Sequence, residues 1–287
     1  MKPEVVANNL LEELGIKGLP VLPQEICRQL AIHYCEDHFR GFEGTLAVHP
    51  KGQYAYIGVN SLIREPGRKN FTCAHELGHY CMDFDFESPR EFICKKEMIE
   101  SFKSKTPPEE LSANQFAAGL LMPQAILQNL VDERDPGWDS IKELAAISET
   151  SLLATALRFL DLTSHACMLI VCQDGQIQWF RKSQEFALYM TAKTIPPSSS
   201  AFSAFNGTPP EDCFEPVCAE AWLSGRGINP KIQVQEWSLP INSYGQVLTL
   251  LWDEDGIEGW DGEIERDHDD DEVEWDPPTL HKSRRKR

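Results

Sequence analysis

The stretch FTCAHELGHY, Phe71 to Tyr80, decides how this chain is read. At about 3.6 residues per turn, a helix through it places His75 and His79 one above the other, so that two imidazoles can reach one tetrahedral metal ion. Glu76 projects from the flank of that face. It is near the metal yet poorly placed to ligate it, which suits a carboxylate that takes a proton from an activated water. Leu77 points the other way, toward a core. Gly78 costs roughly 1 kcal/mol relative to Ala inside a helix, which predicts that another backbone approaches closely beside the metal face. Asn70 is expected to cap the helix at its N-terminus. The competing reading is an ordinary amphipathic helix that happens to carry two histidines.

Two histidines do not by themselves hold a catalytic metal, which usually takes three protein ligands. The run PPEELSANQFAAGLLMP, Pro107 to Pro123, reads as a helix with prolines suited to its first turn and apolar residues at helical spacing. Its early acids, Glu109 and Glu110, are the candidate third ligands. Glu110 shares a face with Asn114, Ala117, Ala118 and Leu121, and Glu109 one with Ala113, Phe116 and Leu120, so periodicity leaves both open. Asp83, Asp85, Glu87 and Glu91 are weaker alternatives. The bland explanation for either acid is a solvated first-turn carboxylate favoured by the helix dipole.

HELGH preceded by FTCA, and followed about thirty residues later by Glu110-x-x-x-Asn114-x-Phe116-Ala117-Ala118-x-Leu120-Leu121-Met122-Pro123, resembles the ImmA/IrrE family of metallo-endopeptidases. The opening LGIKGLPVLPQEICRQLAI and the YIGVN segment ahead of the HELGH helix fit the same pattern. The resemblance is specific over residues 1 to about 125 and looser afterwards. It implies His75, His79 and Glu110 as metal ligands and Glu76 as general acid/base. Many relatives have a second acid where this chain has Ser112, a departure that bears on the surroundings of the ligands. The resemblance also implies a protein substrate, a helix-turn-helix repressor whose cleavage derepresses stress-response or mobile-element genes. The metal expected is zinc, and manganese is accommodated by the same ligand set.

The chain of 287 residues has a net charge of −18 and 41% hydrophobic residues, the composition of a protein that buries a large core. The N-terminal MKPEVVANNLLEEL carries charges where a signal peptide needs an apolar run, and no stretch approaches the roughly 18 apolar residues of a membrane span. Nine cysteines, an odd number without a regular framework, point to thiols in a reducing cytoplasm. Cys73 and Cys81 flank the HELGH motif and Cys213 and Cys218 form a loose pair; all read more readily as small buried hydrophobes than as redox sensors. His33, His38, His49 and His165 have no partner at ligand spacing.

The fold class expected is α+β, with a zincin-like helical metalloprotease domain containing a small β-sheet over residues 1–134. Within it LAVH and YAYIGV read as strands, and Tyr54 to Asn60 is the candidate edge on which an extended substrate could pair. Residues 135–163, with IKELAAISETSLLATALRFLDLT, form a helix-turn-helix-like segment. Its second helix offers only Arg158 against Asp161, too little basic charge for phosphate contacts, so direct DNA binding is not expected. Residues 164–252 are expected to make a C-terminal α/β domain of sensor-like type, with ACMLIVC and IQWFR joined in a hairpin at Asp174-Gly175, and IQVQEW and VLTLLW as further strands. PPSSSAFSAFNGTPPED is expected to be a loop. Residues 253–287 form a tail, first acidic, with 14 acids against Arg266 between Asp253 and Asp276, then basic in KSRRKR. Such a charge block is expected to be disordered and to aid solubility, or to attract basic repressors.

These features predict peptide hydrolysis with Glu76 as the proton carrier, and Tyr56 and Tyr80 as candidates, by proximity in sequence, for stabilising the oxyanion. Two rival readings stand beside it. The first is a metal-binding sensor or adaptor that does not cleave, which would have no need of Glu76; the second is a transcription factor, which the sparse basic residues disfavour.

Overall fold

The computed structural model describes residues 2–49, 54–83, 92–94 (backbone only), 107–225, 228–241 and 245–256. Helices α1 (Pro3–Glu13) and α2 (Pro23–Gln29) precede strands β1 (Ile32–Asp37), β2 (Gly44–Val48) and β3 (Ala55–Asn60). Helix α3 (Pro66–Met82) carries the HELGH motif, and β4 (Phe92–Cys94) follows. The order of this first sheet is β1-β3-β2-β4, with β1 parallel to β3 and the remaining pairs antiparallel. The strand expected at the edge, Tyr54 to Asn60, is therefore internal. β3 pairs on both sides, and among the described strands the edges belong to β1 and β4. A single strand's apolar pattern reports which face is buried, not how many neighbours it has, so only the pairing could place it.

Helix α3 starts a full turn earlier than Asn70. Pro66 occupies the first turn, where its missing N–H is harmless. Asn70 is not a cap but a buried tertiary clasp: its Oδ1 accepts from Gln24 Nε2 at 2.9 Å, and its Nδ2 donates to the Glu149 carbonyl at 3.1 Å. Leu77 lies fully buried in the core, opposite the histidines.

Helix α4 (Pro108–Leu121) packs directly on α3, and α5 (Gln124–Asp132) follows. Gly78 permits the contact, since a Cβ there would lie 3.1 Å from Ala113 Cα and 3.2 Å from Phe116 Cδ1. The backbone approach that the mid-helix glycine predicts is thus that of Ala113.

Helices α6 (Trp138–Ser148) and α7 (Leu152–Leu162) form the expected helix-turn-helix-like pair, turning at Glu149 with φ of 51°. The turn is docked rather than displayed. A Cβ on Gly67 would meet the Thr150 carbonyl carbon at 2.7 Å, and Asn70 holds the Glu149 carbonyl. Arg158 is buried, donates to the Met122 carbonyl at 3.0 Å and pairs with Glu4. Within α7 Asp161 is the most exposed residue, and it pairs with Arg181, so this helix has no basic face to lay in a DNA groove.

The C-terminal sheet, antiparallel throughout, has the order β6-β5-β11-β10-β8. Its strands are β5 (Cys167–Gln173), β6 (Gln176–Lys182), β8 (Glu215–Cys218), β10 (Gln233–Ile241) and β11 (Gln246–Trp252), and a separate two-stranded pair joins β7 (Tyr189–Met190) to β9 (Leu223–Ser224). The β5–β6 turn is Asp174-Gly175, with φ of 52° and 76°, as a type I′ hairpin requires. β5 is apolar almost throughout because both its faces are covered. Cys167, Leu169 and Val171 join a core shared with α3, α4 and α7, while Met168, Ile170 and Cys172 join a second cluster with Phe186, Trp222 and Leu251. Trp138 Nε1 donates to the Trp237 carbonyl at 2.8 Å, which ties α6 to this sheet.

The segment expected to be a loop contains a short helix, α8 (Ser200–Phe205), capped by Ser199. Buried Glu236 on β10 accepts from Ser200 Oγ at 2.8 Å and from Ala201 N at 3.3 Å. A carboxylate from a distant strand thus adds to the local Ser199 cap in stabilising this helix start. α9 (Ala219–Trp222) sets Trp222 Nε1 on the same carboxylate at 3.0 Å. Among the described residues no helix is long and apolar enough to cross a membrane. The tail from residue 257 onward, with KSRRKR, lies outside the described residues.

Replacing Gly78 by Val should lower stability by roughly 2 kcal/mol through overpacking against Ala113, read as a lower urea midpoint. An unchanged midpoint would show that α3 and α4 separate freely.

Candidate metal centre

Three side chains from two helices converge. His75 and His79, one turn apart on α3, bring their Nε2 atoms to 3.1 Å, with the ring planes at 84°. Glu110, in the first turn of α4, sets Oε2 3.2 Å from His75 Nε2 and Oε1 3.5 Å from His79 Nε2. One ligand atom from each lies within 4.8 Å of the others, and all three residues are buried. The α3–α4 contact at Gly78 and Ala113 creates this meeting, because Glu110 stands one turn before the plane of closest approach. Glu109 is exposed, so the ambiguity left by periodicity is resolved by which acid faces α3.

The outer nitrogens are also engaged. His75 Nδ1 lies 2.9 Å from Asn114 Oδ1, and His79 Nδ1 lies 2.8 Å from Asp83 Oδ2. Both partners are acceptors, so both Nδ1 atoms carry a proton and both Nε2 atoms point inward, toward each other and Glu110. Two Nε2 atoms 3.1 Å apart beside a carboxylate need positive charge among them, a proton on one imidazole or a metal ion in its place. The donor set is therefore one that fits a divalent metal, with hard oxygen and borderline nitrogen ligands. Asp83, weighed from sequence as a ligand, instead holds His79 from behind; Asp85, Glu87 and Glu91 lie outside the described residues. Asn114 carried no role in the sequence reading, although its place four residues after Glu110 puts the two on one helix face.

The titrating groups of the site lean on one another. Burial would raise the Glu110 carboxyl, but hydrogen bonds from both histidines overcome it and hold it down to about 2. Burial would lower His79, yet Asp83 and Glu110 raise it to about 9. Burial dominates at His75 and lowers it. The two imidazoles thus divide into a protonated and a neutral one near pH 7.

Glu76 is fully buried one residue after His75, on the flank that faces β2. A Cβ built on Gly44 would fall 2.3 Å from Glu76 Oε1. Tyr56 is on the other side of the sheet. It alternates with core-facing Ile57, and its hydroxyl lies 2.6 Å from Cys35 Sγ, so it does not face Glu76. Tyr80, four residues after Glu76, stays on that flank of α3, half-buried. Of the remaining histidines, His33 stacks on Tyr56, His49 packs on Tyr54 and His165 on Trp252. Cys73 points away from the metal face, its Sγ 3.8 Å from Cys27 Sγ, both buried.

Residues 27–160 match the sequence profile of a peptidase family described as IrrE N-terminal-like domain. The chain is 28% identical over 126 residues to the radiation response metalloprotease IrrE of Deinococcus radiodurans, covering 43% of this chain and 36% of that protein. It is 28% identical over 143 residues to its namesake in Deinococcus deserti, covering 46% of this chain and 48% of that protein. The alignments thus span less than half the length of these curated relatives. A Mycobacterium tuberculosis transcriptional regulator shares the fold over 87% of this chain and 75% of its own, with a TM-score of 0.52 at 12% identity.

Because a metal ion must displace the proton that His79 holds at neutral pH, uptake at pH 7 should release roughly one proton, and apparent affinity should rise with pH toward 9. Calorimetry in buffers of different ionisation enthalpy measures that release. The same shift stabilises the metal-free fold below pH 6.5, and this contribution is lost as pH climbs through 9. Asp83→Asn should reduce the proton release and weaken metal binding by about 10-fold or more.

Proposed function

Since residues 27–160 match the profile of the IrrE N-terminal-like peptidase family, we propose that this chain is a zinc-dependent endopeptidase whose substrate is a helix-turn-helix repressor. The observation that carries the chemistry is the convergence of His75, His79 and Glu110 with buried Glu76 immediately beside them. His75 Nε2, His79 Nε2 and the Glu110 carboxylate would hold the metal ion. When bound, a divalent ion supplies the Lewis acidity that polarises a water molecule and the scissile carbonyl. Glu76 accepts the proton of the attacking water and passes it to the leaving amine. Asn114 and Asp83 hold the two imidazoles in the tautomer that keeps Nε2 free for ligation. Burial around Glu76 excludes bulk water and strengthens its electrostatic interactions.

The repressor as substrate rests on the family resemblance carried by the HELGH helix and the Glu110–Pro123 run, and the expected outcome is derepression of stress-response or mobile-element genes. The helix-turn-helix-like pair in this chain is read as internal support rather than a DNA reader, because its turn is docked on α3 and Arg158 is consumed by Glu4 and the Met122 carbonyl. A reducing cytoplasm fits the cysteines: the eight whose side chains are described are thiols, with Cys27 and Cys73 adjacent yet unbonded.

The test compares newly generated protein N-termini, by mass spectrometry, in host cells expressing the wild-type chain or Glu76→Gln, before and after DNA damage. A cut in a helix-turn-helix repressor that needs Glu76 is expected, with the variant slower by at least about 10²-fold while retaining its metal. A metal-loaded wild type that yields no such cut would leave a non-cleaving sensor or adaptor as the better reading.

A further inference from the structure

The contact between β2 and Glu76 asks more of Gly44 than strand formation does. Gly44 lies in regular strand, paired with Val59 of β3 on one side and Cys94 of β4 on the other. Its backbone is not in the left-handed region, so chain conformation does not demand glycine here. Space does. A Cβ at this position would fall 2.3 Å from Glu76 Oε1, 3.1 Å from Glu76 Cδ and 2.7 Å from Thr72 Cγ2. Real side chains do not tolerate the first of these distances, and the obstructing atom belongs to a fully buried carboxylate, so relief requires the Glu76 side chain to turn away from β2.

Nor can the strand back away. Besides its two strand partners, the residue before Gly44 is anchored twice. Glu43 takes a bidentate ion pair from Arg68, with Arg68 Nε to Oε2 at 3.1 Å, and its carbonyl accepts from Asn60 N at 2.8 Å. Arg68, Thr72 and Glu76 succeed one another at four-residue spacing, so they line one face of α3. The clamp at Arg68 therefore sets the height of β2 over the same helix face from which Glu76 projects.

We infer that Gly44 is a positioning residue for Glu76: its missing side chain is the slot that the carboxylate occupies, and the β2 backbone, clamped by Glu43 and Arg68, is the wall that holds it in place for proton transfer. The inference rests on the reading of Glu76 as the general base. Adding one methyl group at position 44 should push the carboxylate out of its slot while leaving His75, His79 and Glu110, on other sides of the centre, undisturbed.

A double-mutant cycle in the full chain, made in a Thr72→Ser background to remove the second collision, tests the contact without reference to catalysis. Gly44→Ala should lower the thermal midpoint of the metal-free protein. Glu76→Ala should relieve most of that drop, and Glu76→Gln, which keeps the shape, should relieve little. Equal drops in all three backgrounds would overturn the assignment. If Gly44→Ala does not fold, recovery of the fold in Gly44→Ala/Glu76→Ala supports the contact, and lack of recovery overturns it. On the substrate identified by N-terminal profiling, Gly44→Ala should lower kcat on the order of 10²-fold with KM and metal affinity unchanged, as for a displaced base. Unchanged kcat would overturn the positioning role. If profiling finds no Glu76-dependent cut, the peptidase reading fails by itself, and the stability cycle still decides whether Gly44 makes room for Glu76.

Discussion

The packing of α3 on α4 at Gly78 and Ala113 is the constraint on which the site depends. A glycine inside a helix weakens that helix, so its presence needs a tertiary return. The return is an approach close enough to bring a carboxylate one turn up α4 against two imidazoles on α3. With a wider separation Glu110 would be a solvated first-turn acid, and the histidines would face each other without a counter-charge. Small residues decide the geometry here, and polar residues exploit it.

The polar groups gathered by that contact are mutually dependent. His75 and His79 are each held from behind by an acceptor, Asn114 from α4 and Asp83 from the end of α3. Those acceptors turn both Nε2 atoms inward, and Asp83 together with Glu110 raises His79 while burial lowers His75. In so dry a place the arrangement is costly without a cation and strongly favourable with one. A metal ion taken up at this centre would therefore couple its binding to local order.

Around this centre the rest of the chain acts as bracing. The helix-turn-helix-like pair grips the N-terminal half of α3 through Gly67, Asn70 and the Glu149 turn, and it reaches the C-terminal sheet through Trp138. The middle strands of that sheet present alternate residues to two cores, one of them shared with the helices of the candidate metal centre. An element whose sequence periodicity suggests a DNA reader is thereby built inward, with its lone arginine spent on Glu4 and a backbone carbonyl.

The sequence alone determined the local features: the HELGH helix with Leu77 in the core, the need for a close neighbour at Gly78, the paired helices around Glu149, and the Asp174-Gly175 hairpin. Each is legible because its cause lies within a few residues, in helical or strand period, in a missing Cβ or in turn chemistry. Only the tertiary structure decided what depends on distant partners. It made Asn70 a clasp instead of a cap, set Tyr54 to Asn60 inside its sheet, and braced the start of α8 with the carboxylate of Glu236. It also chose Glu110 over Glu109, turned Tyr56 away from Glu76, and pressed Gly44 against the Glu76 carboxylate. Period and propensity specify which face of an element is buried; which atoms meet across that face is fixed by packing between elements far apart in the chain.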